Sequence, residues 1–261
     1  MRIATFNCNS VRKRLDLILA WLADNQPDVL ALQETKVMDD DFPAAALAEA
    51  GWHAVYRGQK GYNGVAMLSR MRPQLVSFGL QDGDDGESEP RLVRIRYGGI
   101  DIINTYVPQG RALETEQFQF KLAWLKRLRA YFERELGEAA ATDAVWVGDL
   151  NVAPEAKDVH DSKKIWPHVC HCQEVIDRFQ EVLDWGWGDV FRRFLPEAGV
   201  YTFWDYRVRG AIDRGLGWRI DHVLGTPSMA ERAKGCRVDM QARRSEAPSD
   251  HTFVISDWAT D

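Results

Sequence analysis

Hydrophobic residues along this chain follow two different periods. Short apolar runs recur at 3–8, 29–33, 65–68, 92–95, 100–107, 144–147, 201–204, 218–224 and 253–258, many of them bounded by Gly, Pro, Asn or Asp, which predicts strands. Between them, Leu15, Ile18, Leu19 and Leu22 form one stripe, and Phe118, Leu122, Leu125, Phe132 and Leu136 another, at the spacing of amphipathic helices that cover sheets. A further helix is expected over 174–183. Turn chemistry predicts hairpins at Tyr97-Gly98-Gly99-Ile100 and within the Gly-rich stretch 58–64, and an exposed loop at Asp82-Gly83-Asp84-Asp85-Gly86. Strands joined by both hairpins and helices predict an α/β architecture, with either one mixed sheet or two packed sheets flanked by helices. Without repeats, low-complexity segments or a linker, residues 1–261 read as one domain.

Composition narrows the class. With 261 residues, 45% of them hydrophobic, the chain can bury a sizeable core, which excludes intrinsic disorder. No apolar run approaches the roughly 18–20 residues of a membrane span. The start, Met1-Arg2-Ile3-Ala4-Thr5-Phe6-Asn7 and then Arg12-Lys13-Arg14, lacks the basic-then-apolar order of a secretion signal. Four cysteines, Cys8, Cys170, Cys172 and Cys236, fit no disulfide scaffold at this length, so the expected location is the cytoplasm. A net charge of −6 argues against coating nucleic acid by bulk charge, but it leaves room for an enzyme with a local basic face and a carboxylate-rich site.

Candidate chemistry sits at strand ends. Asn7 and Asn9 close the first run, Glu34 the second and Tyr106 a third. Asp149 and Asn151 stand two residues apart, so an extended chain projects both from one face. Asp221, Asp250 and His251 complete the set. Taken singly, Asp149 reads as a turn or cap residue, Glu34 as a strand exit and His251 as an ordinary histidine. Together, these polar groups would be costly inside a core unless something pairs them. Hard oxygen donors on separate strands suit Mg²⁺, with Mn²⁺ as substitute, better than zinc. A hard cation, a carboxylate for water, and amide, phenol and imidazole donors for an oxyanion make up a phosphodiester-hydrolysis kit.

Leu32-Gln33-Glu34-Thr35-Lys36, Gly61-Tyr62-Asn63-Gly64-Val65, Tyr106-Val107-Pro108, Gly148-Asp149-Leu150-Asn151, Tyr201-Thr202-Phe203-Trp204 with Trp218-Arg219-Ile220-Asp221, and Ser249-Asp250-His251 resemble the exonuclease III family of abasic-site endonucleases. The likeness runs from residue 1 to about 258. Several of these motifs are shared with the wider endonuclease/exonuclease/phosphatase superfamily, while the Tyr62 loop and the Phe203-Trp204 block are similar to the DNA-repair branch. The resemblance implies a four-layer α/β sandwich, two mixed sheets face to face with helices on both outer sides. It also implies Glu34 as the direct Mg²⁺ ligand with Asn9 beside it, Asp149 as the group that activates water, and Asn7 as its holder. Asn151, Tyr106 and His251 would contact the scissile phosphate, Asp221 would orient His251, and Asp250 would serve the metal's outer shell or a second metal. Asn9 is a point of variation, since some members carry Asp there, and the amide lowers the site's charge by one.

The implied activity is incision of double-stranded DNA 5′ to abasic sites and trimming of 3′ ends, by a monomer. An extrahelical sugar needs an apolar pocket, for which Phe203, Trp204 and Trp218 are candidates, whereas Trp146 and Trp258 read as core. Backbone contacts are expected from Arg12 to Arg14, Lys36, Arg57 to Lys60, Gln109, Arg111 and Lys163-Lys164, with Tyr62 also facing substrate. His168-Val169-Cys170-His171-Cys172 packs four metal-capable side chains into five residues, too close together to converge on one tetrahedral ion, and reads as a loop entering a helix. Two other readings are a phosphodiesterase of the same fold acting on RNA or on a phosphoinositide or sphingolipid, and a silent DNA-binding scaffold.

Overall fold

Each of two sheets is organised around one parallel crossover. The computed structural model describes residues 1–83 and 89–260, so residues 84–86 of the expected acidic loop lie outside the described residues. The chain runs through β1 (Arg2–Asn7), α1 (Leu15–Asn25), β2 (Val29–Gln33), α2 (Ala44–Glu49), β3 (His53–Arg57) and β4 (Val65–Ser69). There follow β5 (Leu75–Phe78), β6 (Leu92–Tyr97), β7 (Ile100–Tyr106), α3 (Glu116–Leu136), β8 (Ala144–Asp149), α4 (Ser162–Ile165) and α5 (Gln173–Leu183). The last stretch holds β9 (Gly188–Asp189), α6 (Val190–Phe194), β10 (Asp221–Gly225), α7 (Pro227–Arg232), β11 (Ala233–Val238), α8 (Met240–Arg243) and β12 (Val254–Trp258).

One sheet has the order β11-β12-β1-β2-β4-β3 and the other β5-β6-β7-β8-β10-β9. Among the described residues only β1/β2 and β7/β8 are parallel, the first pair joined through α1 and the second through α3. Every other pairing is antiparallel, including both predicted hairpins, where Tyr97 faces Ile100 and Arg57 faces Val65. The two-residue period sorts each strand between layers. Ile3, Val29, Ala31, Ile102, Val145, Val147 and Val223 fill the space between the sheets. Their neighbours turn outward: Ala4, Phe6, Leu30 and Leu32 pack with Ile18, Trp21 and Leu22 of α1, and Ile103 and Trp146 pack with Leu125, Leu128 and Phe132 of α3. The result is the expected four-layer sandwich.

Some elements differ from the sequence reading. Residues 201–204 form no strand, because Thr202 and Phe203 direct both their amides to the Trp218 carbonyl and the Thr202 hydroxyl accepts from the Ile220 and Asp221 amides. The predicted run 218–224 becomes a strand only at Asp221, since Arg219 upstream turns into a buried ion cluster. The edge strands β5 and β11 escaped detection, and β3 was marked only by its hairpin turn, because all three are half-exposed, which dilutes their apolar pattern.

That cluster locks the entry to β10. Fully buried Asp158 faces two guanidinium groups, Arg219 (Nε to Oδ1, 2.8 Å) and Arg192 (Nε to Oδ1, 3.0 Å), and Arg219 also reaches Asp189 at 2.8 Å. Burial alone would raise the Asp158 pKa, but Arg219 and Arg192 override it and hold the carboxyl below its ordinary 3.8. Its contribution to stability is therefore complete above that value and is lost as pH falls through the lower, folded-state value. Asp158→Asn removes the shared anion from between buried cations and is expected to cost about 3–5 kcal/mol in urea unfolding at neutral pH. An unchanged unfolding midpoint would contradict this account.

Candidate active site

Because β1, β2, β7 and β8 all end at the same rim, their last inward-facing residues meet there. Asn7 ends β1, Tyr106 ends β7, Asp149 ends β8, and Glu34 follows β2. Opposite them stand Asp221, first residue of β10, and His251, just before β12. Gly148 makes the β7/β8 approach possible: its φ is +139°, and a Cβ there would lie 2.0 Å from the Thr105 carbonyl oxygen.

The Asn7 amide is the hub. Its Nδ2 donates to Glu34 Oε1 at 2.9 Å and to Asp149 Oδ2 at 2.8 Å, so one NH₂ group spans two carboxylates carried by different sheets. Asp149 Oδ1 accepts from the Asn151 backbone amide at 3.0 Å. The Asn151 side chain donates to the Val107 carbonyl at 3.0 Å. Across the rim, Asp221 clasps His251 Nδ1 at 2.8 and 3.1 Å, and His251 Nε2 points to Asp149 Oδ2 at 3.7 Å. Glu34 and Asn151 both occupy the left-handed region, with φ of 53° and 50°. Non-glycine residues there signal local strain, which functional sites tend to concentrate.

Protonation follows from burial and charge. Burial lifts the Asp149 carboxyl; His251 opposes the lift while Asp221 and Glu34 reinforce it, bringing the pKa to about 7. For His251 burial works the other way, but the Asp221 and Asp149 carboxylates overcome it and raise the imidazole to about 10. Tyr106 is pushed well above its ordinary value by burial and by the Glu34 and Asp149 charges, so it remains a proton donor.

A cation already sits among the candidate metal ligands. Lys36 Nζ lies 2.6 Å from Glu34 Oε2 and 2.6 Å from Asn9 Oδ1, and Asn9 Nδ2 donates to Asp250 Oδ1 at 3.0 Å. The ammonium shows that these oxygens accept positive charge, and the hard donor set fits a divalent ion. Lys36, expected to contact DNA phosphate, is here paired with Glu34 beside the site. Asp149, Asp221 and His251 form a second group with ligand-capable atoms within 4.8 Å of one another, although Asp221 is engaged by His251.

Beside this rim opens a cleft of about 620 Å³, whose lining includes Tyr106, Asp149, Asn151, His251, Phe203 and Trp218, together with Gln109 and Arg111. Phe203 lies against His251, ring centroids 4.8 Å apart. Trp204, expected to face substrate, is 3% exposed and packs instead with Tyr201 and Ala211 in a separate small cluster, so it belongs to the support of this wall. Tyr62 is 68% exposed on a loop whose Gly61 amide donates to the Lys36 carbonyl, outside the cleft lining but tethered to the Glu34 turn.

The sequence reading missed part of the wall. His160, His168 and Cys170 line the cleft, and the His168 ring lies 4.7 Å from that of Trp218. Burial lowers the His168 pKa to about 4, so it presents a neutral ring. His171 faces away, with Nδ1 on the Ala153 carbonyl at 2.6 Å and Nε2 on Ser162 at 2.8 Å, and the segment leads into α5 as a loop. The clustered histidines and cysteines were the available signal, but their spacing speaks only against a shared ion and for a loop entering a helix, and neither reading reveals a wall.

Comparison with known proteins agrees with this geometry. Residues 4–251 match the Endonuclease/Exonuclease/phosphatase family. The chain is 33% identical to exodeoxyribonuclease III of Haemophilus influenzae, covering 99% of both chains. Among solved structures, an AP endonuclease from Archaeoglobus fulgidus superposes with a TM-score of 0.95 at 46% identity over 100% of both chains. The 3′ phosphatase NExo from Neisseria, bound to a product DNA hairpin, superposes at 0.94 with 42% identity, again over 100% of both. With this coverage and the rim of acids, amides and imidazole in place, the chain belongs to the Endonuclease/Exonuclease/phosphatase family and is a hydrolase of its exonuclease III branch.

Proposed function

We propose that this protein is a Mg²⁺-dependent phosphodiesterase of DNA repair that incises duplex DNA 5′ to abasic sites and removes nucleotides or blocking groups from 3′ ends, with Mn²⁺ as an alternative ion. The observation that carries the reading is the Asn7 amide joining Glu34 and Asp149 opposite the His251–Asp221 pair. A DNA substrate is supported by relatives that are an exodeoxyribonuclease, an AP endonuclease and a 3′ phosphatase with a DNA hairpin bound. We further propose that residues 1–261 act as a single catalytic domain and a monomer, in the cytoplasm, where four buried free thiols fit a reducing environment. No helix among the described residues is long and apolar enough to cross a membrane.

In this mechanism Asp149 accepts a proton from water while Asn7 fixes the orientation of its carboxylate. His251, held cationic by Asp221, donates from Nε2 to the phosphate. The Tyr106 hydroxyl and the free proton of the Asn151 amide donate to the charge that develops on its oxygens. Glu34, with Asn9 and Asp250 beside it, would hold a divalent ion, which would supply Lewis-acid polarisation of a phosphate oxygen. Phe203 and Trp218 form an apolar wall for the sugar beside the broken bond, and Gln109 and Arg111 are placed at the edge to engage the strand.

The direct test offers four substrates: duplexes bearing an abasic analogue, a 3′-phosphate or neither, and an RNA strand. Metal-dependent cleavage of the damaged or blocked DNA, abolished by chelator, is expected; cleavage of RNA alone, or of none of the four, would refute the reading. Asp149→Asn is expected to lower kcat by about 10²–10⁴ while DNA binding in a gel shift stays within about threefold; lost binding would reassign Asp149. The rate should also form a bell in pH. Protonation of Asp149 removes the base below about 7, and deprotonation of His251 removes the acid above about 10. Asp221→Asn removes the anion that raises His251 and should move the alkaline limb to lower pH; an unmoved limb would break the assigned pairing.

A further inference from the structure

Lys121 occupies a core position of α3, one turn from Phe118 and Leu125, and is fully buried. Its ammonium has three protons, and its Nζ meets three backbone carbonyls: Asn151 at 2.6 Å, Val169 at 2.7 Å and Gln109 at 3.3 Å. The three acceptors belong to three separate segments that all build the cleft. Gln109 follows Tyr106, Asn151 follows Asp149, and Val169 lies between His168 and Cys170. The Gln109-Gly110 turn also rests on the lysine stem, since a Cβ at Gly110 would lie 3.3 Å from Lys121 Cδ. Burying an ammonium costs several kcal/mol, and a leucine here would join the same core without that cost. What leucine cannot do is draw three carbonyls from three loops to one point.

We propose that Lys121 is a positioning residue for the reaction: through its grip on the Asn151 carbonyl it sets where the Asn151 amide stands relative to Asp149, and through Gln109 and Val169 it fixes the two adjoining walls. The assignment rests on the phosphodiesterase reading of this site. Asn151 is held in the left-handed region by three ties, its amide on Asp149, its side chain on Val107 and its carbonyl on Lys121. Release of the third lets the other two relax, and a misplacement of about 1 Å in a catalytic group is worth roughly a hundredfold in rate.

The test compares wild type with Lys121→Met, which keeps the stem and loses the charge, and Lys121→Gln, which keeps two N–H donors. Each is assayed with Mg²⁺ on a duplex with a recessed 3′ end, for DNA affinity by gel shift in chelator, and for thermal unfolding. Lys121→Met is expected to lower kcat by about 30-fold with KM and DNA affinity within about threefold, and Lys121→Gln to recover part of the rate. In an Asn151→Ala background the same substitution is expected to cost less than about threefold, because the group it positions is gone. An undiminished loss in that background, an unchanged kcat in folded Lys121→Met, or failure of both variants to fold would overturn the positioning role. A wild-type chain without metal-dependent cleavage would overturn the phosphodiesterase reading together with it, and the wild-type arm separates the two failures.

Discussion

Two carboxylates that repel each other, carried by different sheets, are held within reach of one amide. That constraint, Asn7 donating to both Glu34 and Asp149, ties the rim of one sheet to the rim of the other. Without it, like charges at the open edge of a sandwich would splay toward water. The polar ladder just beneath continues the tie, with Gln33 donating to Asn104 at 2.7 Å and Asn104 donating to the Leu32 and Ala66 carbonyls. Below that level the space between the sheets is aliphatic. The core thus grades from hydrocarbon to hydrogen-bonded amides to charged groups over the length of a strand, and the chemistry sits where the gradient meets solvent.

The environment separates two groups that both bind protons near a phosphate. Asp149 is made a stronger base than a solvated aspartate by burial and neighbouring anions, and His251 is made a weaker acid than a free imidazole by Asp221 and Asp149. At neutral pH one side of the cleft can accept a proton while the other still carries one. This asymmetry arises because Asp221 is committed to His251, while burial outweighs the stabilising pull of His251 and of the Asn7 amide on the Asp149 carboxylate.

Much of the site was legible in the sequence because strands repeat every two residues. Asn7, Tyr106 and Asp149 stand at the ends of apolar alternations, so an extended backbone alone carries them to the same face as Ile3, Ile102 and Val147. Residues whose role depends on three-dimensional neighbours were harder to read. Lys36 looked like a surface cation and proved to be the counter-charge of Glu34. Trp204, adjacent to a cleft residue in sequence, falls on the opposite side of an irregular segment and is buried. Lys121 lies beside the apolar stripe read from the sequence and gives no local sign of burial, and its three carbonyl partners lie on loops that no local pattern brings together. Likewise the Asp158 cluster joins positions up to 61 residues apart and appears only once the layers close.

The crossovers that direct four strand ends to one rim leave the other rim with a different character. There the Met1 amino group donates to the Trp258 carbonyl at 2.8 Å, and Arg2 pairs with Asp257 across β1 and β12. Six residues of β1 separate that point from Asn7, which amounts to roughly 20 Å of extended chain. A label placed on the strand ends at this rim, at Arg2 or Asp257, is therefore a strand's length away from the cleft.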